Sequence, residues 1–142
     1  MVSNESTFLT QECQIGDASR GSLSSYAYTL LTLHFLQQTN PPVLPCLQEL
    51  HINEKPEVII DNWNTWFFDD LDNLHHYWPH LGANRRSVAE LFMQFLIYYS
   101  DEFNFDEHVV CSRQLKPLTR LEKMWTGKKI AIEGNDSFLY AS

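Results

Sequence analysis

Apolar positions along this chain cluster into two long helical stretches and a few short extended ones. Tyr26, Ala27, Tyr28, Leu30, Leu31, Leu33, Phe35 and Leu36 predict a helix from Ser24 to Gln38. They lie nearly all round its surface, the pattern of a helix buried inside a larger body. Ser22 and Ser24 are candidate N-caps. Asn40-Pro41-Pro42 ends the helix, because proline lacks an N–H and disfavours helix in the residue before it. Val43 to Leu50 is expected to add one short helix. A second long helix is predicted from Val88 to Ser100. Val88, Leu91, Phe92, Phe95, Leu96, Tyr99 and Phe103 follow the i, i+3, i+4, i+7 spacing, and Met93 and Ile97 widen that stripe. Ser87 with Glu90 has the spacing of a capping box.

The remaining segments are shorter. His108 to Ser112 and Lys129 to Glu133 are rich in β-branched residues and predict two short strands, able to pair as a ribbon. Thr119 to Trp125 is long enough for one or two helical turns. Val58-Ile59-Ile60 is a brief apolar run, and Asp61 to Phe68 mixes turn formers with aromatics, which suggests a loop pinned by buried rings. His51 to Glu57 reads as a polar connection, and Asp69 to Gly82 as irregular or a short helix. Residues 1–12 are polar and expected to be disordered, and Gly16 to Gly21 forms a turn-rich lead-in. The expected fold class is therefore mainly α, with one or two very short β-strands.

Composition narrows the picture. The chain has 142 residues, enough for one domain, and its 44% hydrophobic and 13% aromatic content supports a packed core. A net charge of −8 opposes a broad basic face for nucleic acid. Cys13, Cys46 and Cys111 are odd in number and widely spaced, which fits reduced thiols in the cytoplasm. No apolar run approaches the ~20 residues of a membrane span, so no membrane partner is expected. Met1 to Glu12 lacks the basic and apolar regions of a signal peptide.

Candidate chemistry centres on Gly21-Ser22-Leu23-Ser24-Ser25-Tyr26. A helix start offers free N–H groups and a positive dipole end, which suit a phosphate. Ser25 adds a hydroxyl and Tyr26 a flat ring able to stack on a base. Taken alone, serines ahead of a helix serve as caps far more often than as phosphate ligands. Asp69, Asp70 and Asp72 read as a solvated acidic loop or helix cap rather than a metal site. His75, His76 and His80 lack zinc-ligand spacing. His108 and Cys111 stand three apart on a predicted strand and so point to opposite faces, which argues against a thiol–imidazole pair. Arg85, Arg86, Arg113, Lys116, Arg120, Lys123, Lys128 and Lys129 hold most of the positive charge and read first as solubility charges. In a functional reading, Arg113 to Lys129 borders an RNA path.

Several ordered blocks resemble the PAP-associated region of terminal uridylyltransferases and non-canonical poly(A) polymerases. They are Cys13 to Leu30, Phe35 to Pro45, Trp63 to Asp69, Ser87 to Leu91, Phe105 to Val110 and Ile130 to Glu133. The resemblance spans residues 13–133 and sets off 1–12 and a divergent tail at 134–142. It implies a helical central domain that, with a nucleotidyltransferase domain, encloses UTP, whose UMP passes to an RNA 3′ end. It also implies that Ser25 and Tyr26 contact the triphosphate and stack on uracil. Mg or Mn is expected for the intact enzyme, with no cofactor bound by this chain. The sequence departs from the family pattern at both ends. The metal-holding carboxylates and phosphate-binding lysines are absent. Glu133 is followed by Gly134-Asn135-Asp136 in place of the family's Asp-Pro-Phe, and the later histidine that helps to read uracil is missing. The expectation is a fragment of such an enzyme, inactive alone, with its apolar Ser24–Gln38 helix exposed for want of the other half. The alternative is a non-catalytic RNA- or protein-binding module, and adenylyl transfer in the parent protein is a third possibility.

Overall fold

A computed structural model describes residues 23–50, 56–125, 130–134 and 139–141. The expectations for residues 1–12, for the lead-in at 16–21, for Cys13, Ser22, Lys128 and Lys129, and for most of the connection at 51–57 fall outside these residues. Helix α1 runs from Ser25 to Gln38. Ser24 is its N-cap, accepting from the Ala27 N–H at 3.2 Å. At its far end the chain passes through a cis Asn40–Pro41 bond and doubles back. The N–H groups of Val43 and Leu44 both donate to the Leu36 carbonyl. This return, with Pro45 unable to donate, replaces the short helix expected over 43–50 by turns.

Strands β1 (Ile59–Ile60) and β2 (Trp63–Asn64) form a hairpin. Its two-residue turn places Asp61 and Asn62 at φ 49° and 65°, the left-handed region that Asp and Asn tolerate best among residues with a side chain. The expected loop pinned by buried rings is corrected here, because Trp63 and Phe67 are exposed. Only Trp66 and Phe68 are half-buried. A 3₁₀ turn at Leu71–Asn73 leads into the single-turn helix α2, Leu74–Tyr77. Helix α3, Val88–Ile97, carries the predicted capping box in full: Ser87 accepts from the Glu90 N–H, and the Glu90 carboxylate accepts from the Ser87 N–H. It stops short of Ser100 because the chain relaxes into a π-turn at Tyr98–Glu102, closed by the Phe103 N–H on the Tyr98 carbonyl.

The C-terminal third holds four strands and a helical turn. Strand β3, His108–Val109, pairs antiparallel with β4, Leu118–Thr119. Helix α4, Arg120–Lys123, starts from a second capping box, Thr119 with Glu122. Strand β5, Ile130–Ile132, pairs antiparallel with β6, Leu139–Ala141. The predicted strands at 108–112 and 129–133 thus exist in shortened form, but each takes a different main partner from the one expected. They meet through a parallel bridge of Val110 with Ile132. The fold is mainly helical, as expected, but the count of one or two strands is corrected: the described residues hold six strands in three two-stranded ribbons. Pieces of two or three residues carry too few side chains to show a period-two pattern, so only the β-branched ones were legible.

The core lies between α1, α3 and the β3–β5 seam. Ala27, Leu30 and Leu31 pack on Val110 and Ile132, with Phe95, Tyr99, Phe103 and Phe105 around them. Further along α1, Phe35 and Leu36 pack on Leu91. Burial is therefore concentrated on one broad side of α1, as the apolar pattern of a buried helix predicts: Leu30, Leu31, His34, Phe35, Leu36 and Gln37 are all buried, and the exposed apolar positions are confined to Tyr26 and Leu33. Most of the surface that covers them, Leu91, Val110 and Ile132, lies more than fifty positions away in sequence, a relationship local pattern cannot reveal.

Candidate functional site

Ser25 and Tyr26 occupy the first turn of α1 and both are exposed. Tyr26 leaves 46% of its surface open. Thr29 and Leu33 continue the same exposed strip one and two turns on. The Ser24 side chain is committed to the Ala27 N–H, whereas the N–H groups of Ser25 and Tyr26 precede the first intrahelical bond. The first turn itself holds no acidic residue, and the positive end of the helix dipole favours an anion. A helix of 14 residues, capped and packed along its length, holds this end still.

Four long-range hydrogen bonds fix that helix, with a shorter-range one from Gln37 to Pro45. His34 Nδ1 lies 2.8 Å from the Cys111 carbonyl, and the Tyr98 hydroxyl lies 3.3 Å from His34 Nε2. Gln37 Nε2 donates to the Ser112 and Pro45 carbonyls at 3.0 and 3.2 Å. The Tyr99 hydroxyl donates to the Leu31 carbonyl at 2.8 Å. Burial pushes the His34 imidazole below its usual pKa, with the Cys111 hydrogen bond opposing only in part. Neither His34 nor Gln37 stands out in sequence, since a lone polar residue on an apolar helix shows no partner until the chain folds.

Beside the helix start runs β5. Ala27 follows Tyr26, Ile132 precedes Glu133, and the two apolar side chains share one buried cluster. Glu133 closes the strand. Its carboxylate accepts from the Cys111 thiol at 2.8 Å and from Lys123 Nζ at 2.5 Å. Desolvation alone would raise the Glu133 pKa, but these hydrogen bonds, with the charges of Lys123 and Arg113, hold it below the usual value. Burial first, then the bond to Glu133, pushes the Cys111 thiol up to about 12, which keeps it protonated and unreactive. The structure thus brings the Ser25–Tyr26 end and the Ile130–Glu133 strand to the same side of the core. Both segments carry the family resemblance noted in the sequence.

The other candidate residues stay apart. Asp69, Asp70 and Asp72 are exposed, and the Asp70 carboxylate accepts from the Asn73 amide. His75, His76 and His80 are exposed as well. Among the described residues, no three His, Cys, Asp or Glu side chains converge as metal ligands. His108 and Cys111 do not meet: the His108 ring lies tilted against Phe103, while Cys111 bonds to Glu133. Arg113 donates to the Asn64 carbonyl and Arg120 to the Phe105 carbonyl, so two cations assigned to a solubility role instead brace the fold. No helix among the described residues is long and apolar enough to cross a membrane.

Comparison with known proteins places these features in context. Residues 87–138 match the PAP-associated family described as Cid1 family poly A polymerase. Human terminal uridylyltransferase 7 is 54% identical over 125 residues, covering 87% of this chain and 8% of that protein. Poly(A) RNA polymerase GLD2 from rat is 35% identical over 125 residues, covering 84% of this chain and 24% of that protein. Cid1 solved in complex with the UTP analogue UMPNPP superposes with a TM-score of 0.71 at 34% identity, covering 91% of this chain and 40% of Cid1. The chain therefore spans less than half the length of each of these relatives. Sequence blocks, family match and shared fold agree, and the chain belongs to the terminal uridylyltransferase and non-canonical poly(A) polymerase family.

Proposed function

We propose that this chain is the nucleotide-holding helical portion of an RNA terminal uridylyltransferase, which transfers UMP from UTP to an RNA 3′ end when its parts are together. The observation that carries this reading is the first turn of α1. It presents a hydroxyl, N–H groups that precede the first intrahelical bond and an exposed aromatic ring within two residues, Ser25 and Tyr26. A triphosphate suits the dipole end and its N–H groups, and a base suits the ring. The identity to human terminal uridylyltransferase 7 exceeds that to GLD2, which favours UTP over ATP. The solved Cid1 complex with a UTP analogue supports the same choice.

Divalent Mg or Mn would align the triphosphate with the attacking 3′-hydroxyl. On this reading the ligands for that ion come from the nucleotidyltransferase portion. The same reading has this chain inactive by itself and working in the cytoplasm as part of a longer enzyme. The test is a fusion in which the matched stretch of human terminal uridylyltransferase 7 is replaced by this chain. The fusion should add uridines to a single-stranded RNA, Tyr26→Ala should cut that rate by at least about tenfold through lost stacking, and the 142-residue chain alone should add none. Tailing by the isolated chain, or a fusion indifferent to Tyr26→Ala, would overturn the reading.

A further inference from the structure

Ser87 follows Arg85 and Arg86, the one pair of adjacent arginines in the sequence. All three residues are exposed, and so is Val88 after them. The approach to the serine is ordered without being helical. Asn84 donates to the Pro41 carbonyl at 2.7 Å and accepts from the Arg86 N–H at 3.0 Å, and Ser87 is extended at φ −68° and ψ 162°. Among the described residues the ion pairs are Lys116–Glu122 and Lys123–Glu133, so neither guanidinium of Arg85 or Arg86 is committed to a carboxylate. An exposed hydroxyl with two available cations before it and an apolar residue after it is a charge pattern of the kind that kinases use to select substrates. Here the pattern fits a kinase whose cleft offers acidic groups to arginine.

We propose that Ser87 is a phosphoacceptor for a basophilic serine/threonine kinase, and that its phosphate seats on the start of α3. In the transfer a bond forms between Ser87 Oγ and the γ-phosphorus of ATP, and the bond from that phosphorus to the β-phosphate breaks. ADP leaves, and the hydroxyl proton passes to the catalytic aspartate of the kinase. Entry into the kinase requires the capping box to open, because Ser87 Oγ donates to the Glu90 carboxylate at 2.8 Å. A cap of ordinary strength sets that penalty at roughly tenfold in population. The product gains what the opening loses. A phosphoserine carries about −1.5 to −2 near neutral pH. It drives off the Glu90 carboxylate by like charge, accepts from the N–H groups of the first turn and pairs with the guanidinium groups beside it. Thr119 supplies an internal contrast. It sits in the same kind of capping box with Glu122, but it is half-buried, pairs with His108 in the β3–β4 ribbon and follows no arginine pair.

The test treats the 142-residue chain with the catalytic subunit of cAMP-dependent protein kinase and Mg-ATP, and locates phosphate by peptide mass spectrometry. Ser87 should be labelled and Thr119 should not. Arg85→Gln combined with Arg86→Gln should raise KM at least about tenfold with kcat nearly unchanged, the signature of lost recognition rather than lost chemistry. The phosphorylated chain should melt at or above the temperature of the unmodified one, and Ser87→Ala below both. A chain that takes no phosphate at Ser87 after exhaustive treatment overturns the proposal. So does a double arginine variant labelled with unchanged KM. A phosphorylated chain that melts as low as Ser87→Ala overturns it as well, since the phosphate would then not be seated on the helix. None of these readouts measures uridine addition, so their failure and that of the nucleotide reading are separate.

Discussion

His34 Nδ1 lies 2.8 Å from the carbonyl oxygen of Cys111, across 77 positions of sequence. A carbonyl only accepts, so Nδ1 carries the proton, and Nε2 of the neutral ring is left to accept from the Tyr98 hydroxyl. One imidazole thereby joins α1, the π-turn after α3 and the end of the β3 segment. Its neighbours are aromatic, with Phe103 edge-on at 5.5 Å, so no water replaces a lost bond.

His34→Leu should therefore destabilise the fold while preserving its shape. The substitution fills the space but strands the Cys111 carbonyl, and a buried acceptor left without a partner costs about 1–3 kcal/mol. Urea unfolding followed by far-ultraviolet circular dichroism measures this. A midpoint equal to that of the unsubstituted chain would show that the bond contributes nothing.

Stability should depend on pH at both ends of the range. The folded chain lowers the His34 pKa below 6.5 and that of Glu133 below 4.5. Each group then stabilises the fold above its ordinary pKa, and that contribution is lost as pH falls through the folded value. The folded chain raises the Cys111 pKa from 9.0 to about 12. That contribution is complete below 9.0 and fades as pH climbs towards 12. The thermal midpoint should hold a plateau between these limits and drop on either side. Cys111→Ser, which keeps a donor to Glu133 but does not ionise there, should reduce the alkaline limb without abolishing it, because burial also raises the Tyr98 and Tyr99 hydroxyls, and should leave the acid limb unchanged.

Ser87→Ala should cost about 1 kcal/mol, since it removes the cap on the Glu90 N–H and exposes the first turn of α3. Thr119→Ala should cost less, because the helix it starts runs only from Arg120 to Lys123. Guanidinium titrations of the two variants give the comparison, and a larger loss for Thr119→Ala would contradict it.

What could be read in the sequence was whatever physics acts within a few residues. Ser24 caps α1, Ser87 and Glu90 box α3, and prolines stop α1, all from contacts spanning at most four positions. Ser25 and Tyr26 could be named as candidates for the same reason, since a helix start is a local object. The hairpin at Ile59–Asn64 escaped notice although Asp61-Asn62 is a recognised two-residue turn, because the aromatics beyond it suggested burial. The partners of β3 and β5, the roles of His34 and Gln37, and the Cys111–Glu133–Lys123 linkage depend on contacts distant in sequence. No periodicity encodes those. The outer face of α3 was legible as apolar, but only the packing shows which side of the helix is already covered.

The bonds that clasp α1 also set an order of events during synthesis. Its buried side needs Cys111, Ser112 and Ile132, which leave the ribosome long after α1 itself. Until then Leu30 and Leu31 lack the cover that Val110 and Ile132 give them, and the loop that must close spans about half the chain or more. Ribosome-bound chains halted before Cys111 should therefore stay open to protease where completed ones resist it.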